Sequence, residues 1–313
     1  MLTFIVRRLL AGLVLIVAVS AVAFSLLYAG GGDIARRIMG QNASEEVVAL
    51  RAQQLGLDQP LIVQYGNWLT SALTGDFGVS WFTSQPVTAS LSSRLAVTLT
   101  LVVGTTIVAA VVSVVLGVLA ARRGGWVDGV VQFIAVVGFA VPGFLIALYL
   151  VLWFAIDLGW FRATGYVPIG ESFTGWLSSV TLPIAALSLS AIAAVAQQVR
   201  GSVIDATSRD YVRTLRARGL STNRVVYKHV LRNAGGPALA VLAVQFVGLL
   251  GGAVIVEQVF ALPGIGQLTV SATSSGDIPV VMGVVVATAV IVVVVNLLID
   301  LAQAALNPKV RLS

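Results

Sequence analysis

The residues of this chain that could do chemistry are few, and most of them are cationic. The densest group lies in residues 200–237, RGSVIDATSRDYVRTLRARGLSTNRVVYKHVLRNAGGP, where Arg200, Arg209, Arg213, Arg216, Arg218, Arg224, Lys228 and Arg232 accompany the only histidine, His229. Arg209, Arg213 and Arg216 recur at helical spacing, with Tyr211, Val212 and Leu215 on the opposite side of the same helix. Gly219 supplies a left-handed stop, and Ser221 can cap a second helix. On that helix Arg224, Lys228 and Arg232 step by one turn, while Val226, Val230 and Leu231 fall mostly on another face. The pattern predicts two short amphipathic helices around a glycine elbow. Its chemistry is cationic docking, on anionic headgroups or on a partner, and the spacing leaves both open.

Other chemistries lack their residues. There is no cysteine, so no disulfide framework, thiol nucleophile or thiolate metal site. One histidine cannot build a histidine-rich metal centre. An intramembrane serine protease would need serine and histidine together at membrane depth, but His229 sits in the basic loop. No G-x-x-x-x-G-K-[ST] occurs, since Lys228 and Lys309 follow Tyr227 and Pro308, so a phosphate-cradling loop is not expected. Asp157, Glu257 and Asp300 lie near the ends of apolar runs, not at their middles, which argues against an ion-coupled carrier. Gln197, Gln198, Gln245 and Asn296 are the main polar side chains within or near those runs. They could line a solute path or serve as interhelical hydrogen-bond glue.

The elements that must position these residues are membrane spans. Apolar residues make up 58% of the 313-residue chain and charged ones 10%, far from an ordinary soluble domain. Runs at residues 9–28, 95–121, 126–156, about 176–199, 238–260 and 280–306 are each long enough to cross a hydrocarbon core. The first follows Arg7 and Arg8 and continues beyond the small-residue triplet Ala21, Val22 and Ala23, so it reads as an uncleaved anchor. Pro142 and Pro183 fall within or near spans, where neighbours must satisfy the freed carbonyls. Gly248 and Gly252 form a small-xxx-small step suited to close helix packing.

Residues 30–94 change in character. Asp33, Arg36, Arg37, Glu45, Glu46, Arg51, Asp58 and Asp76 appear there with Pro60 and Pro86. Residues 44–55 read as an amphipathic helix capped by Ser44 and closed by Gly56. A small folded external cap is expected. The loop cations sort by side: Arg7, Arg8, Arg122, Arg123, Lys309, Arg311 and the basic residues of 200–232 against Arg36, Arg37, Arg51, Arg94 and Arg162. The positive-inside bias places both termini and the 200–237 loop in the cytoplasm. The net charge of +6 is thus a matter of topology and does not indicate nucleic acid.

Residues 210–220, DYVRTLRARGL, followed by Lys228, His229, Arg232, Asn233, Ala234 and Pro237, resemble the cytoplasmic loop of permease subunits of binding-protein-dependent ABC importers. The likeness is to the dipeptide/oligopeptide/nickel class, and to its B-type subunit. Residues 55–60 (LGLDQP), 64–65 and 75–80 (GDFGVS) resemble that subunit's external segment, and 117–121 with 126–128 its second cytoplasmic turn. Residues 257–266 (EQVFALPGIG), 277–279, 296–300 and 307–311 resemble its C-terminal third.

The resemblance implies a loop that docks on a cytoplasmic ATPase, with Tyr211, Thr214, Ala217 and Gly219 at the centre of the contact. Asp210, Leu215 and the flanking Arg213 and Arg216 would complete it. The family's E-A-A triplet is replaced here by Arg213, Thr214 and Leu215. Glu257, Phe260, Leu262, Pro263, Gly264 and Gly266 would form an external gate or binding-protein contact, with Phe260 and Leu262 facing the mouth. The expectation is an all-α, six-span protein of a prokaryotic cell membrane, with residues 1–29 as first span, 30–94 as cap and 95–313 as permease core. Its implied partners are a second homologous permease, two ATPases that carry ATP and Mg, and an extracytoplasmic binding protein. The chain itself needs no cofactor. Peptides are the expected solute, with nickel chelates or glutathione as alternatives within the family and a stand-alone carrier or channel outside it.

Overall fold

The computed structural model describes residues 2–29 and 34–306; Gly30, Asp33 and the 307–311 motif lie outside the described residues. Every regular element among them is helical. In order these are α1 (Leu2–Ala29), α2 (Ile34–Met39), α3 (Glu45–Gln54), α4 (Leu61–Leu73), α5 (Val87–Arg123), α6 (Gly125–Ala140) and α7 (Gly143–Leu150), which runs on as a π-helical turn over Val151–Asp157. Then come α8 (Phe173–Ser208), α9 (Asp210–Ala217), α10 (Thr222–Arg224), a π-helical Val225–Val230, α11 (Leu231–Val259), α12 (Ile265–Ser275) and α13 (Ile278–Leu306). Among the described residues five helices are long and apolar enough to cross a membrane, and a sixth span results if α6 and α7 count as one.

The span expected over residues 126–156 is broken at Pro142. The axes of Gly125–Ala140 and Gly143–Asp157 differ by 98°. Pro142 has no N–H to give to a helix and crowds the residue before it, so Val141 adopts an extended φ, ψ of −90°, 119°. Pro142 then starts α7 as its N-cap residue.

A second difference concerns residues 222–237. The expected second short helix does not end before the fifth span; Thr222–Val259 is one continuous helical run. Gly235, Gly236 and Pro237 look like breakers in sequence, yet the helix runs through all three and Pro237 lies inside α11.

The chain divides into two compact units. One contains Thr98–Pro263 and described residues at both chain ends. In it α8 is the central post, packed on α6, α7 and α11. Its buried face is small: Ala186, Ala191, Ala193 and Ala196 alternate with Val195 and Val199. Neighbouring helices approach through glycine. A Cβ on Gly117 would lie 2.7 Å from Val199 Cβ and 2.8 Å from the Ala196 carbonyl, and one on Gly138 would lie 2.9 Å from Ala193 Cβ. The close packing expected at Gly248 and Gly252 is not found. A Cβ at Gly248 would meet nothing within 4 Å, and one at Gly252 would make an ordinary 3.6 Å contact with Leu187.

The other unit holds Val6–Val97 and Gly264–Val293. Residues 34–94 therefore fold together with most of α1, with α12 and with the start of α13. Phe24 stacks on Tyr28 at 4.3 Å and meets Tyr65 and Trp68, beside the buried Ile278 and Met282. Buried Asp277 fastens the turn after α4: its carboxylate accepts Ser80 Oγ at 2.5 Å and the Trp81 N–H at 3.2 Å.

Candidate functional site

The basic segment rises from a valine-rich core. Val199, Val203 and Ala206 of α8 and Val225, Val226, Val230 and Ala234 form one buried cluster, and Val212 of α9 inserts into it with no exposed surface. Tyr211, Leu215 and Leu220 pack against its edge. Asp210 opens α9 and Arg216 lies in its last turn, both favourable to the helix dipole. The helix stops in a Schellman motif: the Leu220 N–H donates to the Leu215 carbonyl at 3.3 Å and the Gly219 N–H to the Arg216 carbonyl at 2.9 Å. Gly219 is the left-handed residue this requires, at φ +81°. Leu215 and Leu220 both pack against the same cluster.

This geometry sorts the predicted residues. Asp210, Arg213, Thr214, Arg216, Ala217 and Gly219 are exposed, while Leu215 faces the chain's own core and Tyr211 is half-buried. The Tyr211 hydroxyl accepts from Asn233 Nδ2 at 3.0 Å, which ties α9 to α11. Ser221 occupies the N-cap position of α10 but its side chain makes no capping bond. The exposed Arg213–Asp210 pair, at 3.9 Å, contributes little.

The turn between α5 and α6 braces this platform. Arg122, in the last turn of α5, donates to Asn223 Oδ1 at 2.7 Å and lies 5.7 Å from the Tyr227 ring centroid. Asp128 of α6 holds Arg200 of α8 through both carboxylate oxygens, one bond being 2.6 Å, with both side chains about one-fifth to one-quarter exposed (19% and 24%). No pairing of these residues was expected. Each lies in a motif noted from the sequence, but nothing in one sequence says which distant motifs meet.

The turn after α11 is a correction. Phe260 and Leu262 are buried, at 1% and 0% exposure, and do not face a mouth. Here too the helix ends in a Schellman motif, with the Leu262 N–H on the Glu257 carbonyl at 2.8 Å and Ala261 at φ +48°. That geometry folds Phe260 and Leu262 inward. Gly264 and Gly266 are buried as well; Pro263 is exposed. Glu257 is fully buried, and its Oε1 accepts from Thr98 Oγ1 at 2.5 Å.

Of the three glutamines, only Gln245 lines a cavity of about 390 Å3, beside Ser190 and Gly248 and against the bend at Pro142. Gln198 donates to Ser202 Oγ at 3.0 Å, and Gln197 is half-buried away from that cavity.

Residues 113–312 match the family described as the inner membrane component of binding-protein-dependent transport systems, and residues 1–102 match the N-terminal region of such membrane components. The chain belongs to this permease family. Similar proteins run the length of the permease. A probable peptide ABC transporter permease protein of Sinorhizobium fredii is 40% identical over 98% of this chain and 99% of its own. A putative peptide transport system permease protein of Brucella abortus is 38% identical over 98% of both. The glutathione transport system permease protein GsiC of Salmonella choleraesuis is 37% identical over 99% of both. The fold is similar to that of a chain of the MetNI methionine ABC transporter in an inward-facing conformation, with a TM-score of 0.55 and 17% identity, covering 69% of the permease and 96% of that chain.

Proposed function

We propose that this permease is the B-type transmembrane subunit of an ATP-driven peptide importer in a prokaryotic cell membrane. It would pair with a second, homologous permease, two cytoplasmic ATPases carrying ATP and Mg, and an extracytoplasmic binding protein. Both termini and the 200–237 segment face the cytoplasm in this reading, because the loop cations concentrate there. The observation that carries it is the short helix α9, anchored by Val212 and stopped by Gly219, which leaves Thr214 and Ala217 exposed alongside Arg213 and Arg216.

A motor's stroke can be passed on only through a rigid body. Helix α9 has the features of one: a buried anchor, a fixed stop, and a tie from Tyr211 to α11. Thr214, Ala217 and Gly219 are small, so the ATPase backbone could come close, and the arginines would pair with acids on its rim. Leu215 would act from within, by stiffening the helix against the cluster. Closure of the ATPases would thereby rock α8 and α11, which continue directly from this platform. The cavity at Gln245 and the bend at Pro142 lie along those moving helices and are the proposed contact with solute. Pro263 remains available at the external turn for the binding protein.

Peptide is favoured as solute by the named relatives from Sinorhizobium and Brucella, and glutathione, itself a tripeptide, by GsiC. Gentle purification from the native host should recover an ATPase pair and a second permease. Reconstituted with its binding protein, the complex should accumulate a labelled oligopeptide only with ATP. Recovery of the chain alone, with ATP-independent uptake, would replace this reading with a stand-alone carrier; competition by glutathione at low concentration would select that solute.

A further inference from the structure

We propose that Asp128 and Arg200 are positioning residues for transport: their ion pair makes α6 travel with α8 and so carries the stroke of the platform to the bend at Pro142. This rests on the reading of the chain as an importer permease driven through α9. Arg200 stands on α8 just before Val203, which belongs to the platform's own core. Its guanidinium grips Asp128 side-on, Nε and Nη2 each donating to a different carboxylate oxygen, the latter at 2.6 Å. Two parallel bonds fix angle as well as distance, which a single bond or an apolar contact leaves free. Both side chains are largely covered, so the pair is not of the exposed kind that contributes little.

A second tie lies further along α6, about 15 Å away at about 1.5 Å per residue. There Gly138 meets α8 so closely that a Cβ would stand 2.9 Å from Ala193 Cβ and 3.1 Å from the Leu189 carbonyl. One tie is a pivot; two make α6 follow α8 as a single body. Pro142 comes one turn after Gly138, and the cavity there is lined by Pro142, Gly143 and Phe144 at the bend and by Ala186, Leu187 and Ser190 of α8. Arg122 holds the turn before α6 to Asn223 of the same platform. Release of Asp128 leaves α6 to swing about Gly138, and the bend no longer keeps step with α8.

The test uses the complex with its partner permease, ATPases and binding protein in proteoliposomes, and reads labelled oligopeptide taken up per ATP hydrolysed. Asp128→Asn and Arg200→Gln should each lower that ratio about fivefold, within the range by which single residues alter coupling between sites, while ATP hydrolysis continues. The exchange Asp128→Arg with Arg200→Asp should recover much of the wild-type ratio. Arg200→Lys keeps the charge but not the fork and should fall between; it carries the test if a neutral variant is not recovered. Because the chain has no cysteine, Phe139→Cys on α6 and Ile204→Cys on α8, both exposed, can take spin labels. Their distance distribution should be narrow with the ion pair intact and broad in Asp128→Asn, whereas a merely stabilising pair would lower melting and leave both readouts unmoved. Wild-type uptake per ATP in Asp128→Asn and Arg200→Gln, or an exchange variant no better than either, overturns the proposal. ATP-independent uptake by the unaltered complex would instead sink the importer reading, and the spin-label widths would still decide whether the pair holds α6 to α8.

Discussion

Gly219 is where the coupling proposal is most exposed to test. Alanine at φ +81° costs about 1–2 kcal/mol in backbone strain. Nothing lies within 4 Å of the place its Cβ would take, so no steric clash adds to that figure. Proline is worse in kind: its φ is locked near −65°, and it removes the N–H that donates to the Arg216 carbonyl at 2.9 Å. The Schellman stop is then lost, and with it the bond from the Leu220 N–H to the Leu215 carbonyl. Because α9 is an exposed eight-residue helix on a large apolar body, these costs should fall on its geometry and not on insertion of the chain. The assay is solute taken up per ATP hydrolysed in proteoliposomes. Gly219→Ala should lower that ratio several-fold, the factor that 1–2 kcal/mol of misplacement implies, and Gly219→Pro should abolish it with the complex still recovered. Gly201→Ala is the control, since Gly201 lies in α8 at an ordinary φ with open space around it. Wild-type uptake per ATP in Gly219→Pro would refute a coupling role for this elbow.

Other substitutions address the framework. Gly117→Ala should destabilise the permease by about 1–3 kcal/mol, because its Cβ would press on Val199 and the Ala196 carbonyl, while Gly248→Ala should be silent; thermal melting in nanodiscs compares them. Asp128→Ala and Arg200→Ala should each lower the midpoint of chemical denaturation, and the double variant should lower it by less than their sum. At the turn after α11, Ala261→Gly should melt no lower than wild type, whereas Ala261→Val should melt lower, since a β-branched residue fits poorly at φ +48°.

The helices were legible because their signals are local. Apolar run length marked the spans, Ser44 accepts the Val47 N–H at 3.5 Å as a cap should, and Gly219 takes the left-handed stop its position suggested. What failed was judgement of breakers. Pro142 turns the chain by 98° with the preceding Val141 extended, while Pro237 lies inside an unbroken helix. The two prolines look alike in sequence; the outcome depends on whether neighbouring helices satisfy the backbone around them, which is tertiary information. The pairings Asp277–Ser80 and Arg200–Asp128 were illegible for a related reason. They join residues 197 and 72 positions apart, and no periodicity within a single chain connects such sites.

Glu257 and Asp277 show how one charge can carry two meanings. In a count of loop charges Glu257 and Asp277 belong with the solvent-facing groups of the outer side. In the fold both are buried, Glu257 bonded to Thr98 and Asp277 to Ser80 and Trp81. Neither therefore contributes the exposed charge that such a count assumes. The orientation proposed above is unaffected, because the bias that sets topology is one of arginine and lysine in short loops, and acids contribute little to it. Thr98→Val separates the two meanings. If Glu257 were merely an outer-surface charge, the variant would be neutral. As the hydrogen-bond partner of a fully buried carboxyl group, Thr98 should be worth about 1–3 kcal/mol, the cost of leaving a buried group unsatisfied. Thr98→Ser, which keeps the hydroxyl, should retain most of that stability, and equal melting of Thr98→Val and wild type would remove Glu257 from the list of structural tethers.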